Sequence, residues 1–192
     1  MRKVSARNLD PMAIRLVVTD VDGIWTAGEI FLDDDGREIK RFSAYDGLAV
    51  RLARDGGIRF ALLSARASQA VTLRARQLGI QPVVQGSGDK ETALREILGQ
   101  MAMHPGQVLY MGDDLTDLGA FRVAAIRVTV PHAPAEVRAA ADLLTEHPGG
   151  GGAVRETVEW LLRAQGTWAK IVAAYSDREA MTSWPPDAGG GN

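Results

Sequence analysis

Two carboxylates stand where an apolar run stops. The run Ala13 to Val18 passes through Thr19 into Asp20-Val21-Asp22-Gly23. A continuous apolar run of this length reads as a strand buried on both faces, here Ile14–Thr19. Gly23 permits the tight turn such a strand needs when it ends at a site. Asp20 and Asp22 then lie at the carboxyl edge of a sheet, where open α/β folds bind ligands. Two carboxylates that close repel each other. A hard divalent cation such as Mg²⁺, taking oxygen ligands, removes the repulsion.

The design occurs twice. Gln107–Met111 is a second apolar strand, and it runs into Gly112-Asp113-Asp114-Leu115-Thr116-Asp117. Two strand–acid junctions separated by helix–strand units predict neighbouring strands that share one metal. Asp114 and Asp117 also suit the start of a helix, where carboxylates cap free N–H groups.

Between and beyond these junctions strands and helices alternate. Glu29–Leu32 and Glu38–Phe42 read as a hairpin closed by Asp33-Asp34-Asp35-Gly36. Helices are expected over 46–54, 68–78, 90–101, 134–140 and 154–165. Strands are expected over 58–63, 82–85, 126–130 and 142–144. Alternation of this kind implies a mostly parallel sheet with right-handed crossovers, an α/β fold in three layers. The 192 residues suit one domain, taken as 1–180. Ser183 to Asn192 is rich in Pro and Gly, so 181–192 is expected to be a disordered tail.

Composition excludes several classes. There is no cysteine, hence no disulfide, thiol nucleophile or cysteine–zinc site, and a cytoplasmic setting is the default. A net charge of −2 does not suggest nucleic acid. No segment approaches the roughly 20 apolar residues of a membrane span. The arginines at 51, 54, 59, 66, 74 and 76 alternate with apolar positions, as on a solvated helix face. His104, His132 and His147 show no metal-ligand spacing and receive no role.

Two further polar residues follow strands. Ser64 ends one and suits either a helix cap or a phosphoryl donor. Lys90 opens a helix, an unfavourable end for a cation unless an anion lies opposite. The order Asp-x-Asp, Ser, Lys, Gly-Asp-Asp-x-x-Asp resembles the haloacid dehalogenase superfamily of aspartate-nucleophile phosphotransferases, over roughly residues 14 to 165. The resemblance implies a Rossmann-like three-layer sandwich and hydrolysis of a phosphomonoester. It implies Asp20 as nucleophile, Asp22 as general acid and base, and Ser64 and Lys90 as phosphoryl-binding groups. It also implies Mg²⁺ held by Asp20, Asp113 and the backbone carbonyl of Asp22, with Asp114 and Asp117 behind them holding Lys90 and water.

The intervals Asp20–Ser64 and Ser64–Lys90 leave no room for a cap domain. Lys40-Arg41-Phe42-Ser43-Ala44-Tyr45-Asp46-Gly47, Gln85 to Lys90 and Gly149 to Glu156 then resemble the capless branch containing the 3-deoxy-D-manno-octulosonate 8-phosphate phosphatases. That branch implies a β-hairpin flap, a homotetramer, and substrate contacts from Ser43, Tyr45, Asp46, Gly47, Arg66, Arg74 and Lys90. Tyr45 and Gly151 stand where the branch usually has arginine, and arginine suits a sugar-acid carboxylate. A nine-carbon keto-sugar acid 9-phosphate, or another small phosphometabolite, therefore stays open as the substrate. A catalytically silent subunit on the same fold is the rival from another class. A signalling receiver domain disagrees in motif order, because Lys90 precedes the second acidic cluster.

Overall fold

The computed structural model describes residues 1–177. The expected tail, 181–192, and the end of the expected domain lie outside the described residues.

Strand β1 is Arg2–Lys3 and β2 is Leu16–Thr19. The hairpin strands are β3, Phe31–Leu32, and β4, Glu38–Ile39. Helix α1, Ala44–Asp55, leads to β5, Arg59–Leu63; α2, Gln69–Leu78, leads to β6, Val83–Val84. Helix α3, Lys90–Gln100, crosses to β7, Val108–Met111. Then follow α4, Leu118–Val123; β8, Ile126–Thr129; α5, Ala135–Ala140; and β9, Leu143–Leu144. Helices α6, Ala153–Ala164, and α7, Trp168–Ser176, close the described chain.

Seven strands form one sheet in the order β1-β9-β8-β7-β2-β5-β6, parallel except for β1. From β2 the chain steps through α1 to β5 and β6. From β7 it steps the opposite way through α4 to β8 and β9. Right-handed crossovers therefore put α1 and α2 on one face and α3, α4 and α5 on the other. Helix α6 packs on α1 and completes the first layer. This is a Rossmann-like three-layer sandwich without a cap.

The centre of the sheet is apolar because it is covered twice. Leu16, Val17 and Val18 of β2 and Val108, Leu109, Tyr110 and Met111 of β7 are all wholly buried. Trp25, in the turn after β2, lies edge-on to Phe60 with centroids 6.0 Å apart. Its Nε1–H donates to Thr19 Oγ1 at 2.7 Å, so this large ring is buried without an unpaired polar atom.

Several expectations need correction. The hairpin ladder is only Phe31↔Ile39 and Leu32↔Glu38, shorter than the expected 29–32 and 38–42. It stands off the main sheet, so no second layer supports more pairing. Strand β1 was not expected in the polar N-terminal stretch; it is an edge strand, held by Arg2↔Leu144 and Lys3↔Leu143. Helices α4 and α7 were also unassigned. The other elements lie within a residue or two of their expected bounds.

Candidate active site

The chain leaves β2 and β7 in opposite directions, so the crevice between their carboxyl ends is the switch point where α/β sheets bind ligands. Register places the two acidic junctions side by side there. Thr19 is level with Met111, and Asp20 N–H continues the ladder to the Met111 carbonyl at 2.9 Å. Asp20, Asp22, Gly23, Ser64, Arg66, Asp113 and Asp114 line a cavity of about 220 Å³. Gly23 is required by this approach. A Cβ there would fall 2.0 Å from Asp113 Oδ2, and its φ of +78° disfavours any side chain.

Asp117 organises the floor. It is fully buried, and both oxygens are occupied. Oδ1 accepts from Lys90 Nζ at 2.6 Å and Tyr110 Oη at 2.7 Å. Oδ2 accepts the N–H groups of Asp113 at 2.9 Å and Asp114 at 3.1 Å. Although Asp20, Asp113 and Asp117 lie close enough to share an ion, Asp117 has no lone pair to spare. Its part is to aim the others. Lys90, expected at a helix start opposite an anion, is 1% exposed and also pairs with Asp20 Oδ2 at 2.8 Å. Burial alone would lower its pKa, but Asp117 and Asp20 outweigh that and hold it above the usual range.

Asp20 and Asp113 remain. Burial, reinforced by Asp117, raises Asp20 to about 6 even against Lys90 and the Val21 N–H that its Oδ1 accepts. Burial, with Asp117 and Asp20 adding to it, raises Asp113 to about 8. Asp113 Oδ1 is buried and has no hydrogen-bond partner. Two carboxylates pushed towards protonation, one with an orphaned oxygen, fit a hard divalent cation between them. Ser64 is 3% exposed; its Oγ accepts the Arg66 N–H at 3.2 Å and keeps its own proton to donate.

Some expected residues lie elsewhere. Asp114 does not hold Lys90; its Oδ1 caps the following turn at Leu115 N, 2.7 Å away. Within one chain Ser43, Tyr45, Asp46, Gly47 and Arg74 do not line the acidic cavity. Asp46 is fully buried and accepts the N–H groups of Gly152 at 3.0 Å and Arg155 at 2.9 Å. It ties α1 to the glycine loop and has no free face for a substrate. Ser43 caps α1, and Gly47 is buried against Arg74. Tyr45 is exposed, with the Arg155 guanidinium 4.6 Å from its ring centroid. Arg66 does reach the cavity.

Four groups were missed. Lys40 and Glu38, on the hairpin, reach the site: Lys40 Nζ pairs with Asp22 Oδ1 and, at 2.6 Å, with Glu38 Oε1. Tyr110 supports Asp117. His132 Nε2 lies 3.5 Å from Asp113 Oδ2. Lys40 was visible in the Lys-x-Phe segment, but nothing in the spacing said that the hairpin would fold back.

Aspartates at a switch point, a buried lysine and a serine define a metal-assisted phosphomonoester hydrolase of the haloacid dehalogenase type. Comparison agrees. Residues 79–156 match the haloacid dehalogenase-like hydrolase family. The 3-deoxy-D-manno-octulosonate 8-phosphate phosphatase KdsC of Haemophilus influenzae is 39% identical over 153 residues, 80% of this chain and 85% of that protein. The protein of the same name from Escherichia coli K12 is 37% identical, covering 80% and 81%. The Moraxella catarrhalis phosphatase, solved with magnesium, phosphate and KDO, superposes with a TM-score of 0.84 at 38% identity over 86% of this chain and 95% of its own. The cobalt-bound H. influenzae enzyme gives 0.82 at 34%, over 90% and 99%. The chain belongs to the 3-deoxy-D-manno-octulosonate 8-phosphate phosphatase family.

Proposed function

We propose that this chain hydrolyses 3-deoxy-D-manno-octulosonate 8-phosphate, with Mg²⁺, through an aspartyl-phosphate on Asp20. The observation that carries the reading is the pair Asp20 and Asp113 at the switch point, with its orphaned Asp113 oxygen. The similarity to phosphatases named for that substrate supports it.

Asp20 attacks phosphorus, and the bond to the sugar oxygen breaks as Asp22 gives that oxygen a proton. Lys90 at Asp20 Oδ2 favours the ionised nucleophile over the neutral acid. Asp22 then takes a proton from water, the water oxygen attacks phosphorus, and the bond to Asp20 breaks to release phosphate. Ser64 and Lys90 hold the phosphoryl oxygens. Asp20, Asp113 and the Asp22 carbonyl would hold Mg²⁺, which when bound would supply positive charge to those oxygens and relieve the repulsion between the carboxylates.

The apolar hairpin supports assembly as a homotetramer. Ile30, Phe31, Leu32 and Ile39 are each more than half exposed on one short flap, a cluster that suits burial against other copies. The similarity to the KdsC phosphatases supports a cytoplasmic setting; no helix of the described residues is long and apolar enough to cross a membrane. Tyr45 and Gly151 favour keeping a nine-carbon keto-sugar acid 9-phosphate as a second substrate.

Phosphate release over a panel of sugar and sugar-acid phosphates tests this. Asp20→Asn should lose at least 10³-fold in kcat. Activity on neutral sugar phosphates alone would overturn the substrate. No release that depends on Asp20 would favour the silent-subunit reading.

A further inference from the structure

Above the acidic cavity four charged side chains alternate in a chain: Asp22, Lys40, Glu38, Arg66. Lys40 Nζ is shared between Asp22 Oδ1 and Glu38 Oε1. Arg66 Nη2 holds Glu38 Oε2 at 2.7 Å, and its Nε is 3.8 Å from Asp22 Oδ2. The Lys40 side chain is 1% exposed, so its ammonium has left water for these two carboxylates. Glu38 and Lys40 both come from β4 and the residue after it, at the root of an otherwise exposed hairpin. Glu38 is thus a carboxylate gripped by two cations at the rim of a phosphatase cavity.

The position matters because of which side of the cavity it borders. Lys90, the deep cation, sits between Asp20 and Asp117, on the nucleophile's side of the cavity. Asp22 serves the leaving group, so Lys40 and Arg66, grouped around Asp22, border the leaving-group side. A leaving group with its own carboxylate brings an anion to this rim. Arg66 is well matched to it by its two-pronged guanidinium, and Lys40 by its point charge.

We propose that Glu38 is an internal stand-in for the carboxylate of the substrate: it holds Lys40 and Arg66 in the free enzyme and yields them when an anionic leaving group enters. This rests on the phosphatase reading and adds how the site selects acids over neutral sugars. It also supplies cations that the chain lacks at Tyr45 and Gly151. Exchange of one carboxylate for another conserves the count of ion pairs, so an acid gains Lys40 and Arg66 only by releasing Glu38, whereas a neutral sugar leaves Glu38 in place and gains neither; Glu38 thereby competes with the acid alone.

The test is calorimetric, in the Asp20→Asn background with Mg²⁺, so that binding is read without turnover. The probes are 6-phosphogluconate and glucose 6-phosphate, a pair that differs in the carboxylate. Glu38→Gln keeps the shape and removes the competitor; the preference for the acid should rise about three- to tenfold. Arg66→Gln should lower it by a similar factor, and Arg66→Lys should restore part of it. The same ratios should appear in KM on the active enzyme with 3-deoxy-D-manno-octulosonate 8-phosphate against a neutral sugar phosphate. An unchanged or reduced preference in Glu38→Gln, or no binding of either probe, overturns the inference, because Glu38 would then only build the hairpin. A raised preference for 6-phosphogluconate in an enzyme that ignores the octulosonate phosphate would refute the substrate and leave the inference standing.

Discussion

Replacing Asp113 by Asn should stabilise the protein without metal and remove its response to metal. Burial and the neighbouring carboxylates raise Asp113 from 3.8 to about 8. The sign follows from proton binding. Between those values the folded chain keeps a proton that the unfolded chain has released, so stability falls as pH rises through the window. At pH 7 the interval above the unfolded value is 7 − 3.8 = 3.2 units, which at about 1.4 kcal/mol per unit comes to about 4 kcal/mol of lost stability. Asn has nearly the same shape and no charge, so Asp113→Asn abolishes this term. Urea unfolding in a chelator should show the variant about 1–4 kcal/mol more stable than the wild type at pH 7 to 8, with the gap closing towards pH 4. Mg²⁺ at a hundred times its Kd should return about 2.7 kcal/mol to the wild type and almost nothing to the variant. A variant less stable than wild type at pH 8 in chelator, or a gap that does not change with pH, would refute the account of a strained carboxylate pair awaiting a cation.

Asp117→Asn should behave in the opposite way. It breaks a buried pair with Lys90 and should cost about 3–5 kcal/mol with or without Mg²⁺; a loss that appears only with metal present would make Asp117 a ligand. Asp46→Ala removes the carboxylate that ties α1 to the glycine loop and should cost about 2–4 kcal/mol in chemical unfolding. If Asp46 instead contacted substrate, KM would rise with stability unaltered.

Much of the site was legible in the chain because its groups sit at strand ends. A strand that stops at Asp20 or Asp113 can be recognised from its own apolar run. Parallel pairing then brings the two stops to one edge, whatever the side chains between them. Lys90 was legible through the misfit of a cation at a helix start. The burial of Asp46 was not legible because its motif position says nothing of it: the glycine loop that encloses it lies 106 residues away in the chain. Glu38 and Lys40 were unassigned because a two-residue ladder carries no signal of where a hairpin folds. The strand β1 was missed for a related reason, since it is supported mainly by a distant partner, β9.

The sequence by itself determined the α/β class, the order of the strand–acid junctions and the lack of room for a cap between its motifs, all of which follow from local periodicity, spacing and residue type. Its resemblance to the haloacid dehalogenase superfamily singled out Asp20, Asp22, Ser64, Lys90 and Asp113 as candidates. Tertiary structure alone decided which carboxylates are free and which are spent. Asp117, Asp46 and Asp113 are all buried or nearly so. Only the packing shows that four donors satisfy Asp117, that two backbone N–H groups bind Asp46, and that an oxygen of Asp113 has none. The physical reason is that a carboxylate in low dielectric is governed by its donors, and those donors come from segments that are neighbours only once the chain has folded.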